Sequence, residues 1–383
     1  MRYLILFVCF YYSTSIFGQI QKESFKSEVL KDTREVIIYT PPKFNKKDKK
    51  EYPLLLILDG NYLFDPIHGI ISYSSYWEEV PEMIMVAVNF KNFEARKRDY
   101  EFDPSSGLPN ETAVNFYEFL EMELIPYLEA NYKLGSLKMI AGHGESAGFL
   151  NFFLYKENPV FNAYFCFNPE LPDFSNERVP QFLSKTKRRF YYYLSMSEAD
   201  NKKIKKNVPE LNAKLKEVAN PLLTYHYQEF KNSTHYSSLI SAVPDALTHL
   251  YAIYQPITLQ EFHDVILKME GNYAQYVIDK YKTIHELLGI KMSIRPNDFN
   301  AIEVAIIKNK AYEEYEKLAK LAAKEHPKTM LSNYYMGLFY YNMGVLDKAL
   351  KEYQKAFSME TIGDLTREKI MDKIDSIKAE LKK

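Results

Sequence analysis

Short apolar runs alternate with amphipathic stretches along the first two thirds of the chain. Runs of strand length include Leu137–Ala141, Phe190–Ser195 and Leu222–Phe230. This alternation predicts a mainly parallel sheet with helices on both faces over residues 25–255. After residue 258 the helical period continues to residue 383 without a run typical of a strand, so we expect this part to be all helix.

The clearest local pattern surrounds Ser146. The apolar run Leu137–Ala141 stops at a glycine-rich turn, and the following stretch places four apolar side chains on one helical face, those of Phe149, Phe152, Phe153 and Leu154. Strand, tight glycine turn and helix are the parts of a nucleophile elbow, and Gly144–Gly148 reads G-x-S-x-G. Glycine is expected at Gly144 and Gly148 because the turn is strained and the backbones approach closely.

Further blocks surround this motif in a fixed order. They are Tyr52–Gly60, Pro81–Val88, Glu118–Tyr132, Phe161–Tyr164 and Asn168-Pro169. Together with the elbow they resemble the putative esterase family of enterochelin-esterase and esterase D type, over about residues 25–255. The resemblance implies an α/β-hydrolase fold, a small-molecule ester substrate and a serine esterase that forms an acyl-enzyme.

The elbow allows two interpretations. The family usually reads Gly-His-Ser-x-Gly-Gly, and a gapless alignment from Gly142-His143 puts Gly144 at the serine position. Ser146 then lies two residues later, about 200° further around a helix. Either the turn is displaced and Ser146 is the nucleophile, or Ser146 is a first-turn helix serine. In the second case the chain is a catalytically inactive hydrolase that acts as a binding or scaffold protein.

A serine hydrolase also needs a base and an acid that orients it. His235, in the segment Asn232–Leu239, resembles the family's histidine loop and follows the predicted strand Leu222–Phe230. The acid is expected after the strand Phe190–Ser195, where Glu198 and Asp200 are both candidates. The order nucleophile, acid, histidine is that of the α/β-hydrolases.

Backbone N–H groups are expected to form the oxyanion hole. With Ser146 as nucleophile, they belong to Ala147 and to Gly60 or Asn61, and His143 is expected to support the turn. The chain carries no glycine-rich phosphate loop, metal-ligand cluster or dinucleotide fingerprint, so we expect neither a cofactor nor a metal.

Composition narrows the choice of partners. The 383 residues are 46% hydrophobic and 26% charged, with a net charge of −1. Near-neutral charge gives no basic footprint for nucleic acid or an anionic membrane, so neither is expected as a partner. The 32 tyrosines and 25 phenylalanines are expected mainly in an aromatic-rich core.

Residues 1–19 have the pattern of a secretory signal peptide. Arg2 precedes an apolar run, Tyr3–Tyr12, that is too short to span a bilayer. Removal of this segment would leave Cys166 as the remaining cysteine, without a disulfide partner in the chain. We therefore expect an exported protein, periplasmic or extracellular, with no stable membrane insertion.

The helical region, residues 258–383, contains a repeat-like pattern at about residues 329–362. Small and aromatic residues fall at positions typical of a tetratricopeptide repeat, namely Gly337, Tyr340, Gly344, Ala349, Tyr353 and Ala356. A lone repeat cannot bury its own apolar face, so it must pack on neighbouring helices or on the hydrolase domain. Such a region predicts a protein partner.

Overall fold

The structure, a computed structural model, describes residues 19–47 and 49–382, and every structural statement below concerns these residues. Its strands are Gln19–Ser27 (β1), Asp32–Thr40 (β2), Tyr52–Ile57 (β3), Ile84–Val88 (β4), Phe102–Asp103 (β5), Leu108–Pro109 (β6), Leu134–His143 (β7), Ala163–Phe167 (β8), Phe190–Ser197 (β9) and Leu223–Phe230 (β10).

The first helices connect these strands. They are Gly60–Tyr76 (α1), Phe93–Asp99 (α2), Glu111–Glu118 (α3), Ile125–Asn131 (α4), Glu145–Phe149 (α5), Ser175–Lys185 (α6), Lys202–Lys216 (α7) and Ser238–Leu250 (α8). The later helices are Leu259–Asp264 (α9), Tyr273–Leu288 (α10), Pro296–Asn309 (α11), Glu314–Glu325 (α12), Leu331–Asn342 (α13), Leu346–Phe357 (α14) and Arg367–Glu380 (α15). A π-helical turn, Phe119–Leu124, joins α3 to α4.

Eight strands form one sheet in the order β1-β2-β4-β3-β7-β8-β9-β10. From β4 to β10 all neighbours are parallel, whereas β1 and β2 pair antiparallel at one edge. Every residue of β3, β4, β8 and β9 is buried, so both faces of the sheet are covered. The predicted α/β fold with a mainly parallel sheet is confirmed.

The apolar residues after the elbow lie in the core, as their pattern predicts. Phe149, Phe152, Phe153 and Leu154 are all buried. Helix α5 is short, however, and a 3₁₀ turn, Leu150–Tyr155, follows it directly. The ring of Phe149 lies 5.2 Å from that of Tyr100, which anchors the elbow helix in an aromatic cluster.

The chain divides into two compact units. One comprises residues up to Gly69 and Glu82–Val243, and the other comprises Ile70–Pro81 and Pro244–Lys383. The boundary between the two units falls within α8, while the sequence pattern places the boundary between the two domains at residues 255–258. The first unit contains the sheet and the residues expected in the site.

The second unit is helical throughout residues 259–382, apart from two isolated bridges. Helices α12 to α15 pack in succession, each against the next. Gly337 of α13 faces Tyr353 of α14 so closely that a Cβ on Gly337 would lie 2.6 Å from the tyrosine ring. A small residue in the repeat-like pattern is expected to allow two helices to approach this closely. The tetratricopeptide assignment itself stays a prediction.

Among the described residues, no helix is both long and apolar to the degree that crossing a bilayer requires. Residues 1–18, which hold nearly all of the predicted signal segment, lie outside the described residues.

Candidate active site

Gly144 forms the apex of the turn between β7 and α5. Its backbone has φ 63° and ψ −119°, a conformation that L-residues other than glycine rarely adopt. In a nucleophile elbow the nucleophile occupies this strained position between strand and helix. Gly148 is required for a different reason, the close approach of another backbone segment, because a Cβ there would lie 2.2 Å from the carbonyl oxygen of Glu170. The strained apex is therefore residue 144.

Ser146 points into the turn. The side chain is fully buried, and its Oγ accepts a hydrogen bond from the His143 amide (2.9 Å) and donates one to the His143 carbonyl (3.1 Å). These two bonds tie the end of β7 to the first turn of α5. Ser146 lies two positions beyond the apex and faces inward. Its geometry is that of a first-turn helix serine.

His235 lies opposite Gly144. A Cβ built on Gly144 would be 3.4 Å from Nε2 of His235, so a side chain at position 144 would point at this nitrogen. The loop after β10 carries His235, as the sequence predicts. The site therefore contains a histidine at the distance of a base, facing a residue without a side chain.

Asp200 orients His235. Its Oδ1 lies 2.6 Å from Nδ1 of the imidazole, and its Oδ2 accepts hydrogen bonds from the Ser197 amide (2.6 Å) and from Asn168 (2.9 Å). Burial acts to raise the pKa of Asp200, but the hydrogen bonds from His235 and from these donors outweigh burial, so the pKa lies below its usual value. The carboxylate is ionised at neutral pH and favours the proton on Nδ1, which leaves Nε2 free to accept one.

Glu198, the alternative acid, is exposed. Its carboxylate accepts a hydrogen bond from the Asn232 amide at 3.2 Å. The structure thus brings Asp200, and not Glu198, to His235.

His143 supports the loop that carries His235. Its Nε2 donates a hydrogen bond to the His235 carbonyl (3.0 Å), and the two rings lie 4.3 Å apart. Burial, followed by the nearby His235, lowers the pKa of His143 to about 4, so the ring is neutral at neutral pH. A neutral ring with its proton on Nε2 holds the carbonyl without placing a second cation beside the base.

An ion-pair network that sequence reasoning missed flanks the apex. Asp59, at the end of β3 with φ 55°, accepts two hydrogen bonds of 2.8 Å from the guanidinium of Arg96. Arg96 also pairs with Glu145, the residue after the apex. The Asp59-Gly60 strand end was visible in the sequence, but nothing distinguished Arg96 from its neighbours Lys97 and Arg98.

Which backbone N–H group is the candidate oxyanion donor depends on which residue forms the apex. The amide nitrogen of Ala147 lies 2.8 Å from where a Cβ of Gly142 would be, so it packs beneath the end of β7 and not at the mouth of the site. With the apex at 144, the corresponding N–H group is that of Glu145, the first residue of α5, which has no acceptor within its own helix. Gly60 and Asn61 follow β3 as expected, and the side chain of Asn61 binds the backbone of Phe90.

A cavity of about 220 Å³ lies beside the elbow. Its lining mixes both charges with aromatic rings and includes Glu145, Glu170, Lys97, Lys203, Tyr100 and Phe102. Beside the base, the exposed ring of Tyr236 lies 5.0 Å from the ring of His235.

Sheet order, elbow and histidine–aspartate pair together define an α/β-hydrolase. Residues 27–159 match the family described as "Putative esterase", which confirms the resemblance drawn from the sequence. No curated protein matches the chain. The family match supports carboxylic ester hydrolysis as the chemistry of this chain.

Solved structures resemble the chain over most of its length. An uncharacterised protein from Capnocytophaga ochracea DSM 7271 is 27% identical, with 94% of this chain and 100% of that chain covered and a TM-score of 0.82. An IroE-like serine hydrolase from Shewanella oneidensis is 20% identical, with 80% and 99% covered and a TM-score of 0.60. BES protein from Bacillus cereus is 23% identical, with 64% and 96% covered and a TM-score of 0.50. The last two similarities concern the fold.

Proposed function

We propose that this chain hydrolyses a carboxylic ester with a water molecule activated by His235, without an acyl-enzyme. One observation carries the proposal: Nε2 of His235 faces the side-chain position of Gly144 at 3.4 Å, while Asp200 holds Nδ1. The acid and the base of a hydrolase are both present there, and Gly144 contributes no side-chain atom as a nucleophile, so a water molecule takes that role in this proposal.

The reaction then proceeds in two proton transfers. His235 Nε2 takes a proton from water as the oxygen attacks the ester carbonyl carbon. The resulting oxyanion is held by the N–H of Glu145 and by that of Gly60 or Asn61. The tetrahedral intermediate collapses, the C–O bond to the alcohol breaks, and the imidazolium returns the proton to the leaving oxygen. The products are one acid and one alcohol.

Ser146 has no part in this reaction. Both hydrogen-bonding directions of its hydroxyl are used by the His143 backbone, and the side chain is fully buried. Attack by this oxygen would require the elbow to unfold locally. The Asp200–His235 pair instead supports direct general-base catalysis.

The proposal is tested by steady-state hydrolysis of p-nitrophenyl acetate. His235→Ala should lose on the order of 10²–10⁴-fold in rate, the usual contribution of a positioned general base. His285→Ala, an exposed histidine on α10, is the matched control and should keep the wild-type rate. Equal rates in wild type and His235→Ala would refute the proposal.

A second candidate function follows from the absence of a side chain at Gly144. A site with base, acid and oxyanion donors but no nucleophile also suits the binding of an ester or acid without turnover. The chain would then act as a binding or scaffold protein. The assay separates the two: no hydrolysis by wild type, together with saturable binding of the acid product that His235→Ala weakens, would support this candidate.

We further propose that the protein is exported and that its helical unit binds a protein partner. The signal-like pattern of residues 1–19 and the repeat-like pattern of residues 329–362 support these assignments. N-terminal sequencing of protein from the native host should find a start near Gln19 or Ile20. An intact Met1 in a cytosolic fraction would contradict export.

A further inference from the structure

One cavity in the first unit lies away from the candidate active site. It encloses about 720 Å³, and we call it the basic groove, defined by Arg178, Phe182, Lys185, Arg188, Tyr155 and Glu157. Arg178, Phe182 and Lys185 follow one another at spacings of four and three, so they share one face of α6. Arg188 belongs to the segment that leads into β9.

The groove and the active site lie at opposite ends of the parallel strands. Arg188 precedes the amino end of β9, whereas Asp200 follows the carboxyl end of the same strand. The eight residues of β9 span roughly 26 Å at about 3.3 Å per residue. A ligand in the groove is therefore separate from one at His235.

Positive charge in the groove is uncompensated. Lys187 adds a fourth cation to Arg178, Lys185 and Arg188, and Glu157 is the one acid among the lining residues that the structure describes. None of these cations is in an ion pair with a described residue. Glu177, the acid next to Arg178 on α6, forms an ion pair with Lys214 of α7 instead, with 2.7 Å between Oε1 and Nζ.

Each arginine lies over an aromatic ring, and Nη2 of Arg188 also donates a hydrogen bond to the Phe161 carbonyl (3.5 Å). The guanidinium of Arg178 lies 5.4 Å from the centre of the Phe174 ring, and that of Arg188 lies 5.3 Å from the Phe190 ring. Nη1 of Arg178 is shielded from solvent and has no hydrogen-bond partner among the described residues. Stacked guanidinium groups lose little freedom when they bind an anion, and an anion would offset the cost of a shielded, unpaired cation.

We propose that the basic groove binds a free organic acid with an apolar body, such as an aromatic or short acyl carboxylate or sulfonate. Phe182 and Tyr155 supply an apolar floor, and the arginines supply the partners of the acidic group. The volume is in the range of small-molecule sites. This site is distinct from the ester site and does not depend on the proposed hydrolysis.

The test uses the purified full chain and the fluorescent probe 8-anilinonaphthalene-1-sulfonate. We expect one saturable site whose affinity falls as salt is raised. Arg178→Gln/Arg188→Gln should raise the dissociation constant about tenfold or more, the usual effect of removing charge-assisted hydrogen bonds. Lys206→Gln, an exposed lysine of α7 outside the groove, and His235→Ala should leave it unchanged.

The neutral probe N-phenyl-1-naphthylamine should bind at least tenfold more weakly than the sulfonate. Lys185→Gln/Lys187→Gln, at exposed positions, should weaken sulfonate binding even if the arginine variant fails to fold. Equal sulfonate affinity in wild type and a folded groove variant would overturn the proposal. Displacement of the probe by single-stranded DNA at lower concentration than by 2-naphthoate would also overturn it, because the groove would then serve a polyanion.

Discussion

The base side and the nucleophile side of the site differ sharply. On the base side, Asp200 binds His235 at 2.6 Å and is itself held by two further donors, which is the arrangement of a working hydrolase. On the nucleophile side, the strained apex is Gly144 and has no side chain. The difference teaches that a G-x-S-x-G sequence and a nucleophile elbow are separate properties, since the geometry belongs to Gly144 while the serine belongs to the helix.

The largest effect is a loss of hydrolysis rate on the base side of the site, and it is expected for Asp200→Asn. The asparagine would favour the wrong tautomer of His235, so hydrolysis should fall by about 10²–10⁴-fold, both in wild type and in a Gly144→Ser background. Glu198→Gln is the matched control because Glu198 lies on the same loop without contacting His235, and its rate should stay within threefold. Steady-state kinetics on both variants checks this, and a larger loss in Glu198→Gln would reverse the assignment.

The next largest effect is a pH-dependent loss of stability, and it concerns His143, whose ring lies against that of His235. His143 has a pKa of about 4 in the folded chain against about 6.5 when unfolded. Above pH 6.5 both states are neutral, and as pH falls toward 4 the unfolded state gains the proton first. Wild type should therefore lose about 3 kcal/mol of stability relative to His143→Gln between pH 7 and pH 4. Urea unfolding at both pH values measures the difference, and parallel pH profiles would contradict it.

The smallest effect is expected for Ser146→Ala. Loss of the hydroxyl leaves the amide and carbonyl of His143 without their partner, which should cost about 1–2 kcal/mol of folding free energy. The rate of hydrolysis should stay within threefold of wild type. A loss of more than 10²-fold in a variant that still folds would identify Ser146 as the nucleophile.

Much of the fold follows from the chain's pattern. Alternating apolar runs predict the parallel sheet, because strands buried on both faces are nearly continuous in hydrophobic residues. The family resemblance places His235 after β10 correctly. These features depend on residue order and on one-dimensional periodicity, which a sequence displays directly.

The remaining parts of the site depend on dihedral angles and on contacts between distant segments. Whether residue 144 or 146 takes the positive φ is decided by the packing of α5 against the sheet, which no local pattern reports. Glu198 and Asp200 are two residues apart, and the turn after β9 alone decides which carboxylate reaches His235. Arg96 meets Asp59 and Glu145 across three separate segments, so its role has no sequence signal.

The most direct test of the central claim is intact mass spectrometry after treatment with a serine-reactive fluorophosphonate. Wild type should carry no adduct, because Ser146 is buried and Gly144 has no hydroxyl. Gly144→Ser should carry one adduct, mapped by peptide analysis to residue 144 and lost when His235→Ala is added. A stoichiometric adduct on Ser146 of the wild-type protein would contradict the account.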